Sequence, residues 1–305
     1  MTPASLVALI VIAVWTGTVV TWCRRHPWGD AGRRFFRYPS ATAGMVILVF
    51  LTTVALCAPL VTPYPPYQQI LTLQDHPPTW LHPLGTDFIG RDVWSRLAYG
   101  ARVSLGAGTL GMLLAVTLGA LVGAAAGYFR GWTDALLMRA VDVGLSIPRI
   151  LLVLCAIALW GTLGVAALIV LLGFTGWFAT SRIVRAEVMS VRERPYTDAV
   201  RALGARPWWI ILRHVLPNTA AALIVSAALG IGNMMLLEAG VSFLGAGIQP
   251  PHPSWGNMIA DGRDQLGTAP WTTLFPGLAI ALSVMALNAT GDALRDALDP
   301  KARGV

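Results

Sequence analysis

Charge is scarce in this sequence. Of its 305 residues, 12% are Asp, Glu, Lys or Arg, against the ~25% usual in soluble domains, whereas 55% are hydrophobic. So few charged side chains could not cover the surface of a soluble protein of this size, because that surface needs polar groups facing water. The composition therefore excludes an ordinary soluble protein and indicates a membrane protein whose apolar side chains face lipid.

Lysine is nearly absent, since Lys301 is the only one. A P-loop needs a Lys followed by Ser or Thr, and Lys301 precedes Ala302, which excludes ATP binding by this chain through such a loop. The same scarcity excludes a buried lysine that acts as a nucleophile or forms a Schiff base.

Cysteine and histidine are sparse and unclustered. Cys23, Cys57 and Cys155 lie in or beside apolar stretches without a CxxC pair, so neither a zinc site nor a disulfide framework is indicated. The five histidines include no HExxH motif, which argues against a metalloprotease. We expect no metal site, and we expect the cysteines to be packing residues.

Long uncharged apolar stretches make up much of the chain. A helix needs ~20 mostly apolar residues to cross the ~30 Å hydrocarbon core of a bilayer. Residues 150–181 are uncharged but too long for one span, and Gly161 and Gly164 divide them. The stretches predict seven transmembrane helices, at residues 4–22, 41–61, 103–129, 135–160, 165–181, 218–237 and 272–291.

Basic residues are distributed unequally between the loops that join these spans. Seventeen of the 22 Lys and Arg residues fall on one side of the membrane and four on the other. The positive-inside rule then predicts the N-terminus outside, the C-terminus in the cytoplasm and the proline-rich loops outside. The first stretch lacks a basic start and a small-residue cleavage pattern after Trp22, so we expect a retained helix and not a secretory signal.

The predicted cytoplasmic segment 182–217 is too patterned for a simple connection. Residues 199–203 suit a short helix, Gly204 breaks it, Pro207 fits the start of a second helix, and Pro217 is predicted to end that helix. Two short helices at an angle would form a projection from the membrane-spanning part.

The second of these short helices would have two different faces. Trp208, Ile211 and Leu212 are predicted on one face, and Arg206 and Arg213 on the other. This arrangement suits docking in a groove of another protein. It suits equally an amphipathic hairpin that lies on anionic lipid, so the residues alone leave both interpretations open.

A family resemblance distinguishes the two. The pattern Asp198-Ala-Val, three residues, Gly204, nine residues, His214-Val-Leu-Pro217 resembles the EAA loop of binding-protein-dependent ABC importer permeases. That loop reads Glu-Ala-Ala, three residues, Gly, nine residues, Ile-x-Leu-Pro, so Asp198, Val200 and His214 depart from it. In that family the loop is a coupling helix seated in a cleft of the ATPase subunit. The resemblance implies this role for Tyr196, Asp198, Ala199, Arg201, Gly204, Trp208, His214, Leu216 and Pro217.

Three further segments resemble the dipeptide, oligopeptide and nickel branch of the same family. They are residues 82–102, 237–259 and 291–300. Taken by itself, the alternation of Asp and Arg in residues 82–102 predicts an interfacial helix held by local ion pairs. The resemblance covers about residues 33–303, and the helix at 4–22 lies outside the usual six-span pattern.

The resemblance implies an all-α polytopic membrane bundle, with a six-span type I ABC importer permease core and one extra N-terminal transmembrane helix. It also implies four regions along the chain. These are the extra helix with a basic cytoplasmic linker (1–32), the first core span with a proline-rich external loop (33–101), the permease core with its coupling loop at 186–217 (102–292), and a cytoplasmic tail (293–305).

The implied function is that of one permease subunit of an importer in the bacterial inner membrane, and not of an enzyme. The implied partners are a homologous second permease, two ATPase subunits that bind ATP and Mg²⁺, an external substrate-binding protein and membrane lipid, but no nucleic acid. The binding protein would dock on the proline-rich loops and residues 249–264, and this chain itself would carry no cofactor. Di- or oligopeptides are the expected substrates, with nickel, glutathione or another small solute as alternatives.

Four charged residues lie in or near the predicted spans, where charge is costly and usually faces protein or water. Arg139 and Asp142 are three residues apart and could pair with each other. Arg149 follows Pro148 and could meet substrate or snorkel, and Glu238 lies near the outer end of its span. Each of the four is a candidate for either structural pairing or contact with the transported substrate.

Two other functional classes are alternatives to the importer function. An ion-coupled secondary transporter typically shows inverted repeats, broken helices and paired midplane acids, and none is evident in the sequence. An intramembrane hydrolase needs a nucleophile with a base in reach, and no such set stands out. Uptake that persists without ATP would favour the first class, and hydrolysis by the chain alone would favour the second.

Overall fold

The computed structural model of the chain describes residues 3–25 and 29–298, which form helices and loops without a β-strand. The predicted all-α class is therefore confirmed. The end of the predicted tail, residues 299–305 with Lys301, lies outside the described residues. The helices are α1 (Pro3–Arg25), α2 (Gly29–Phe35), α3 (Pro39–Leu56), α4 (Ala58–Val61), α5 (Val93–Phe129), α6 (Gly131–Ser146), α7 (Arg149–Trp160), α8 (Val165–Arg192), α9 (Pro195–Ala202), α10 (Pro207–Ile210), α11 (Leu216–Phe243), α12 (Trp255–Gly262) and α13 (Trp271–Leu298).

Within residues 3–25 and 29–298, six helical stretches are long and apolar enough to cross a membrane, namely α1, α3, α5, α8, α13 and the continuous stretch Pro207–Phe243 that contains α10 and α11. They correspond to six of the seven predicted spans. The seventh predicted span, 135–160, is not one continuous helix: it contains most of α6 and all of α7, whose axes differ by 85°, so it counts as a span only as a bent pair. Pro148 explains the break: it cannot donate a backbone hydrogen bond, and Ile147 before it is extended, with φ −102° and ψ 129°.

The predicted regional boundaries at 32/33, 101/102 and 292/293 all fall inside helices, in α2, α5 and α13. Helix α5 begins at Val93, well before the expected start of the core, and α13 continues to Leu298. Both helices therefore extend beyond the apolar stretches that predicted them.

Helices α5 and α8 pack closely along most of their lengths, and glycines of α5 form the contact. A Cβ atom at Gly119 would lie 2.7 Å from Thr180 Cβ, and one at Gly127 would lie 2.8 Å from the carbonyl oxygen of Arg185. Separations this short are sterically forbidden, so only glycine permits the two backbones to approach so closely. In lipid, van der Waals packing of this kind replaces the hydrophobic drive that joins helices in water.

Helix α11 lies centrally, against α5, α8 and α13, and α13 also packs on α3. Helix α1 lies outside this arrangement, against α3 and α4. Its Ile12 is buried with Val54, Ala58 and Val61, while the opposite face of α1 is exposed. The extra N-terminal helix is thus peripheral to the bundle.

The bundle has two distinguishable ends. Helix α12 lies against α5, α11 and α13 at one of them, where Arg96 near the start of α5 reaches Asp261. Helices α9 and α10 lie at the other, where Arg201 reaches Tyr128 near the end of α5. We call these the α12 end and the α9 end.

A buried ion cluster lies at the α12 end. Arg91 Nε and Arg96 Nη1 donate to the same oxygen of Asp87, at 2.6 and 2.5 Å. The Nη2 atoms of both arginines donate to Asp261 of α12, at 3.0 and 2.9 Å. The expectation of purely local ion pairs is therefore wrong, because two of these four bonds, one from the loop and one from α5, reach α12 far away in the sequence.

The loop before α5 is also fastened to the start of that helix. Asp92 Oδ2 accepts a hydrogen bond from the backbone N–H of Ser95 at 2.8 Å, which caps α5. The other oxygen of Asp92 lies 2.9 Å from His82 Nδ1, and the ring of Tyr64 stacks on His82 with centroids 4.7 Å apart. These side-chain contacts and backbone hydrogen bonds, such as that from the Asp75 N–H to the Asp87 carbonyl at 3.0 Å, together hold the proline-rich loop.

Replacing Gly123 by Val is expected to destabilise the bundle, by roughly 1–3 kcal/mol, as overpacking does. The new Cβ would lie 2.8 Å from Val184 Cβ and against the backbone of Ser181. Gly106→Val is the matched control, because it adds the same side chain to the same helix where no atom lies within 4 Å. Thermal unfolding of the detergent-purified chain measures the difference, and equal Tm values for the two variants would contradict the close-packing argument.

Replacing Asp87 by Asn is expected to cost about 3 kcal/mol, since it leaves two buried guanidinium groups with one carboxylate instead of two. Asp264→Asn is the control, because its ion pair with Arg263 is exposed and 3.4 Å long. We expect that control to change stability by less than about 1 kcal/mol. The same thermal measurement applies, and a Tm loss in D87N no larger than that in D264N would refute a stabilising role for the ion cluster.

Candidate functional site: the α9–α10 hairpin and the cavity beside it

The segment between α8 and α11 folds into two short helices at the α9 end. The predicted first helix is present as α9, and it begins four residues earlier than expected because Pro195 suits a first helical turn. Gly204 ends it with φ +81°, a left-handed conformation that favours glycine. The Gly204 N–H donates to the carbonyl of Arg201 at 3.0 Å, which closes the last turn.

The second helix, α10, begins at Pro207 as predicted, but Pro217 does not end it. A turn of π-helix, Ile211–Val215, joins α10 directly to α11, and Pro217 lies in the first turn of α11, where its missing N–H costs nothing. The prediction that Ile211 shares a face with Trp208 is also wrong. Ile211 is buried and Trp208 is exposed, because the wider turn rotates Ile211 inward.

An apolar base cluster lies beneath the hairpin. Buried Thr197 adds a polar bond to it, since its hydroxyl donates to the carbonyl of Val191 at 3.0 Å. The hairpin is therefore packed closely on α5 and α8. The base cluster consists of Ile210, Ile211 and Val215 of the hairpin, Val184, Val188 and Val191 of α8, and Ala124 and Tyr128 of α5.

The outer surface of the hairpin carries most of the predicted coupling residues. Tyr196, Asp198, Ala199, Arg201, Gly204, Trp208 and Pro217 are exposed, and His214 and Leu216 are half-buried. Leu203, which the sequence pattern did not single out, is 86% exposed at the tip. Exposed apolar side chains grouped in this way mark an interaction surface.

Helix α5 also contributes residues to the α9 end, and these residues lie outside the loop motif. The guanidinium groups of Arg192 and Arg201 lie over the ring of Tyr128, 5.7 and 5.8 Å from its centroid. Arg130 donates a hydrogen bond to Glu193, and this bond, together with the charge of Arg130, lowers the pKa of Glu193. Spacing within the loop could not reveal these contacts, because their partners are some 60 residues away.

An open cavity of about 740 Å³ lies beside the hairpin, lined mainly by α8, α11 and the end of α13. Glu187, Arg194 and Arg295 line its wider part near the α9 end, and Met112 and Met234 line its closed end. Among residues 3–25 and 29–298, no three His, Cys, Asp or Glu side chains lie close enough together to hold a metal ion.

Of the four charged residues predicted near the pathway, Arg149 alone lines this cavity. Asp142 pairs with Arg182 of α8 at 2.5 Å and not with Arg139, so the expected pair within α6 is wrong. Helix α8 passes α6 at this point and supplies the nearer cation, and Arg139 is exposed.

Glu238 is fully buried toward the α12 end and does not line the cavity. It accepts hydrogen bonds from the hydroxyls of Ser242, at 2.7 Å, and Ser104, at 3.3 Å. The Ser104 oxygen in turn accepts from the backbone N–H of Trp255 at 3.1 Å. These contacts join α5, α11 and α12, which is a structural role.

The chain is similar to transport proteins over nearly its whole length. A glutathione transport system permease protein of Pectobacterium atrosepticum is 38% identical over 279 residues, which cover 91% of this chain and 92% of that protein. A putative peptide transport system permease protein of Brucella abortus is 42% identical over 271 residues, covering 88% and 90%. A putative peptide permease protein of Brucella suis is 39% identical over 278 residues, covering 90% and 92%.

Two family models match the chain in succession. The model of the N-terminal TM domain of oligopeptide transport permease C matches residues 26–78. The model of the binding-protein-dependent transport system inner membrane component matches residues 115–304. These matches confirm the resemblance and show a transporter subunit and not an enzyme. The chain belongs to the family of inner membrane components of binding-protein-dependent transport systems.

Proposed function

We propose that this chain is one of two permease subunits of an ATP-driven importer of di- or oligopeptides. A homologous second permease completes the pathway, two ATPase subunits bind ATP and Mg²⁺, and an external binding protein delivers the substrate. The names of similar proteins support a peptide substrate, because they refer to peptides or to glutathione, which is itself a tripeptide.

The observation that carries the proposal is that the hairpin and the cavity share helix α8. Val184 and Val188 belong to the base cluster, whereas Thr180, Ile183 and Glu187 of the same helix line the cavity. Because the hairpin is packed rigidly on α8, a force applied to the hairpin also moves a wall of the cavity.

The proposed contact with an ATPase subunit is the exposed side of the hairpin. Leu203 and Trp208 offer apolar anchors, 86% and 54% exposed, and Asp198 and Arg201 of the same hairpin form an exposed ion pair of 2.8 Å. An apolar centre with a polar rim is the usual composition of a protein interface.

The α9 end is proposed to face the cytoplasm and the α12 end the outside. The excess of arginine supports this orientation, since residues such as Arg130, Arg185, Arg192 and Arg206 lie at the α9 end. The binding protein then meets the α12 end, where the proline-rich loop is rigidly held by the ion cluster.

ATP-driven closure of the ATPases would bring the coupling hairpins of the two permeases together. If the permease pair has two conformations, such closure favours the one in which the hairpins are closer together. The side of the membrane from which the cavity is accessible then changes with the conformation. The cavity residues near the α9 end, such as Glu187 and Arg295, are exposed and Met112 and Met234 are buried, which supports an inward-open conformation in this proposal.

Gly204→Val is expected to leave the protein in the membrane but to abolish transport-coupled ATP hydrolysis. A β-branched residue at φ +81° costs about 1–2 kcal/mol and alters the bend between α9 and α10. The measurement is peptide-stimulated ATPase activity of the purified complex in proteoliposomes, with co-purification of the ATPase subunits.

Gly245→Val is a closely matched control at the α12 end. Gly245 has φ +79°, no atom within 4 Å of an added Cβ, and the same Leu-Gly-Ala sequence as Gly204. Both glycines also end a helix with the same pair of backbone hydrogen bonds. We expect G245V to keep the ATPase subunits bound, and if G204V keeps them bound and coupled as well, the hairpin is not the coupling element.

A further inference from the structure

Arg149 lies at the closed end of the cavity, held by neutral groups. Its Nη2 atom donates to the backbone carbonyl of Leu172 and lies 2.7 Å from the sulfur of Met234, and its Nε lies 3.3 Å from the hydroxyl of Thr175. Within residues 3–25 and 29–298, no carboxylate forms an ion pair with Arg149.

This guanidinium lies deep in the membrane. Gly176, against which it packs, is eleven residues from the start of α8 at Val165, or ~16 Å along the helix. Arg182, the first charged residue of α8, is six residues beyond Gly176, or ~9 Å, so the guanidinium lies within the apolar part of this helix. A cation so deep is costly without an anion, which marks it as a functional residue.

The backbone adds to the positive potential at this point. The break at Pro148 makes Arg149 the first residue of α7, so the positive end of the α7 dipole lies at the closed end of the cavity. A Cβ atom at Gly176 would lie 2.8 Å from Arg149 Nη2, so glycine provides the room in which the guanidinium lies along α8.

The cavity as a whole carries more positive than negative charge. Arg149, Arg194 and Arg295 line it, whereas Glu187 is its single carboxylate among the lining residues of the described chain. Glu187 is eleven residues beyond Gly176 on α8, or ~16 Å from the level of Arg149, too far to neutralise it. A cavity of this kind attracts a ligand that carries a carboxylate.

We propose that Arg149 binds the carboxylate of the transported solute as it crosses the membrane, and so selects for peptides with a free C-terminus. The proposal rests on the proposed function and names the group on the substrate that the pathway recognises. A guanidinium group binds a carboxylate through two parallel hydrogen bonds, which are stronger than its bonds to a neutral carbonyl or thioether. The carboxylate of the substrate can therefore replace the neutral partners that Arg149 has in this structure.

The direct test measures binding of trialanine and trialanine amide to the purified complex of both permeases and the ATPases, without nucleotide or binding protein, by saturation-transfer NMR. The wild type is expected to bind the free acid about 10-fold more tightly than the amide, as a charge-assisted bond allows. Arg149→Gln is expected to remove this preference, and Arg149→Lys to retain most of it because the charge remains.

Arg295→Gln is the matched control, since it removes the same charge from the same cavity nearer its mouth. It is expected to keep the preference for the acid. A wild type without preference, an R149Q variant that keeps it, or an R295Q variant that loses it equally would each overturn the proposal.

A second measurement separates this proposal from the importer function itself. In proteoliposomes, R149Q is expected to lower trialanine uptake at least several-fold while ATPase co-purification and Tm stay near wild type. If the wild type is active and R149Q takes up trialanine equally well, the proposed role of Arg149 is refuted but the proposed importer function is not. A wild-type complex that lacks ATPase subunits and ATP-dependent uptake would instead refute the proposed function.

Discussion

The close approach of α5 and α8 is the contact on which the rest of the molecule depends. Glycine residues along α5 bring the two backbones together where lipid offers no hydrophobic drive. Helix α8 forms both a wall of the cavity and part of the base cluster, and α5 begins beside the ion cluster. One tightly packed helix pair therefore fixes the relative positions of the hairpin, the cavity and the α12 end.

The two ends of this pair use charge in opposite ways. At the α12 end, Asp87, Arg91 and Arg96 are buried and satisfy one another, which makes that end rigid. At the α9 end, charged groups such as Arg201 are exposed and stack on Tyr128 or pair in solvent. Exposed ion pairs contribute little stability, so they leave a surface that a partner can reorganise at small cost.

Sequence patterns predicted those features that local chemistry determines. An apolar run of about 20 residues has few alternatives to a membrane helix, and Gly204 and Pro207 act on their own turns. A hydropathy average over 135–160 does not register that Pro148 interrupts the helix. The burial of Ile211 and the bond from Arg96 to Asp261 depend on residues far away in the sequence. The cavity also forms between distant residues, so motif spacing could not predict it.

The depth of the cavity has an electrical consequence. If water fills it as far as Arg149, the remaining insulator is the apolar layer beyond, formed by residues such as Leu168 and Leu172. The membrane voltage then falls mainly across that layer. Moving one charge through the full voltage involves about 2.3 kcal/mol per 100 mV. The voltage then acts on a charged group mainly within this apolar layer, and only weakly in the cavity.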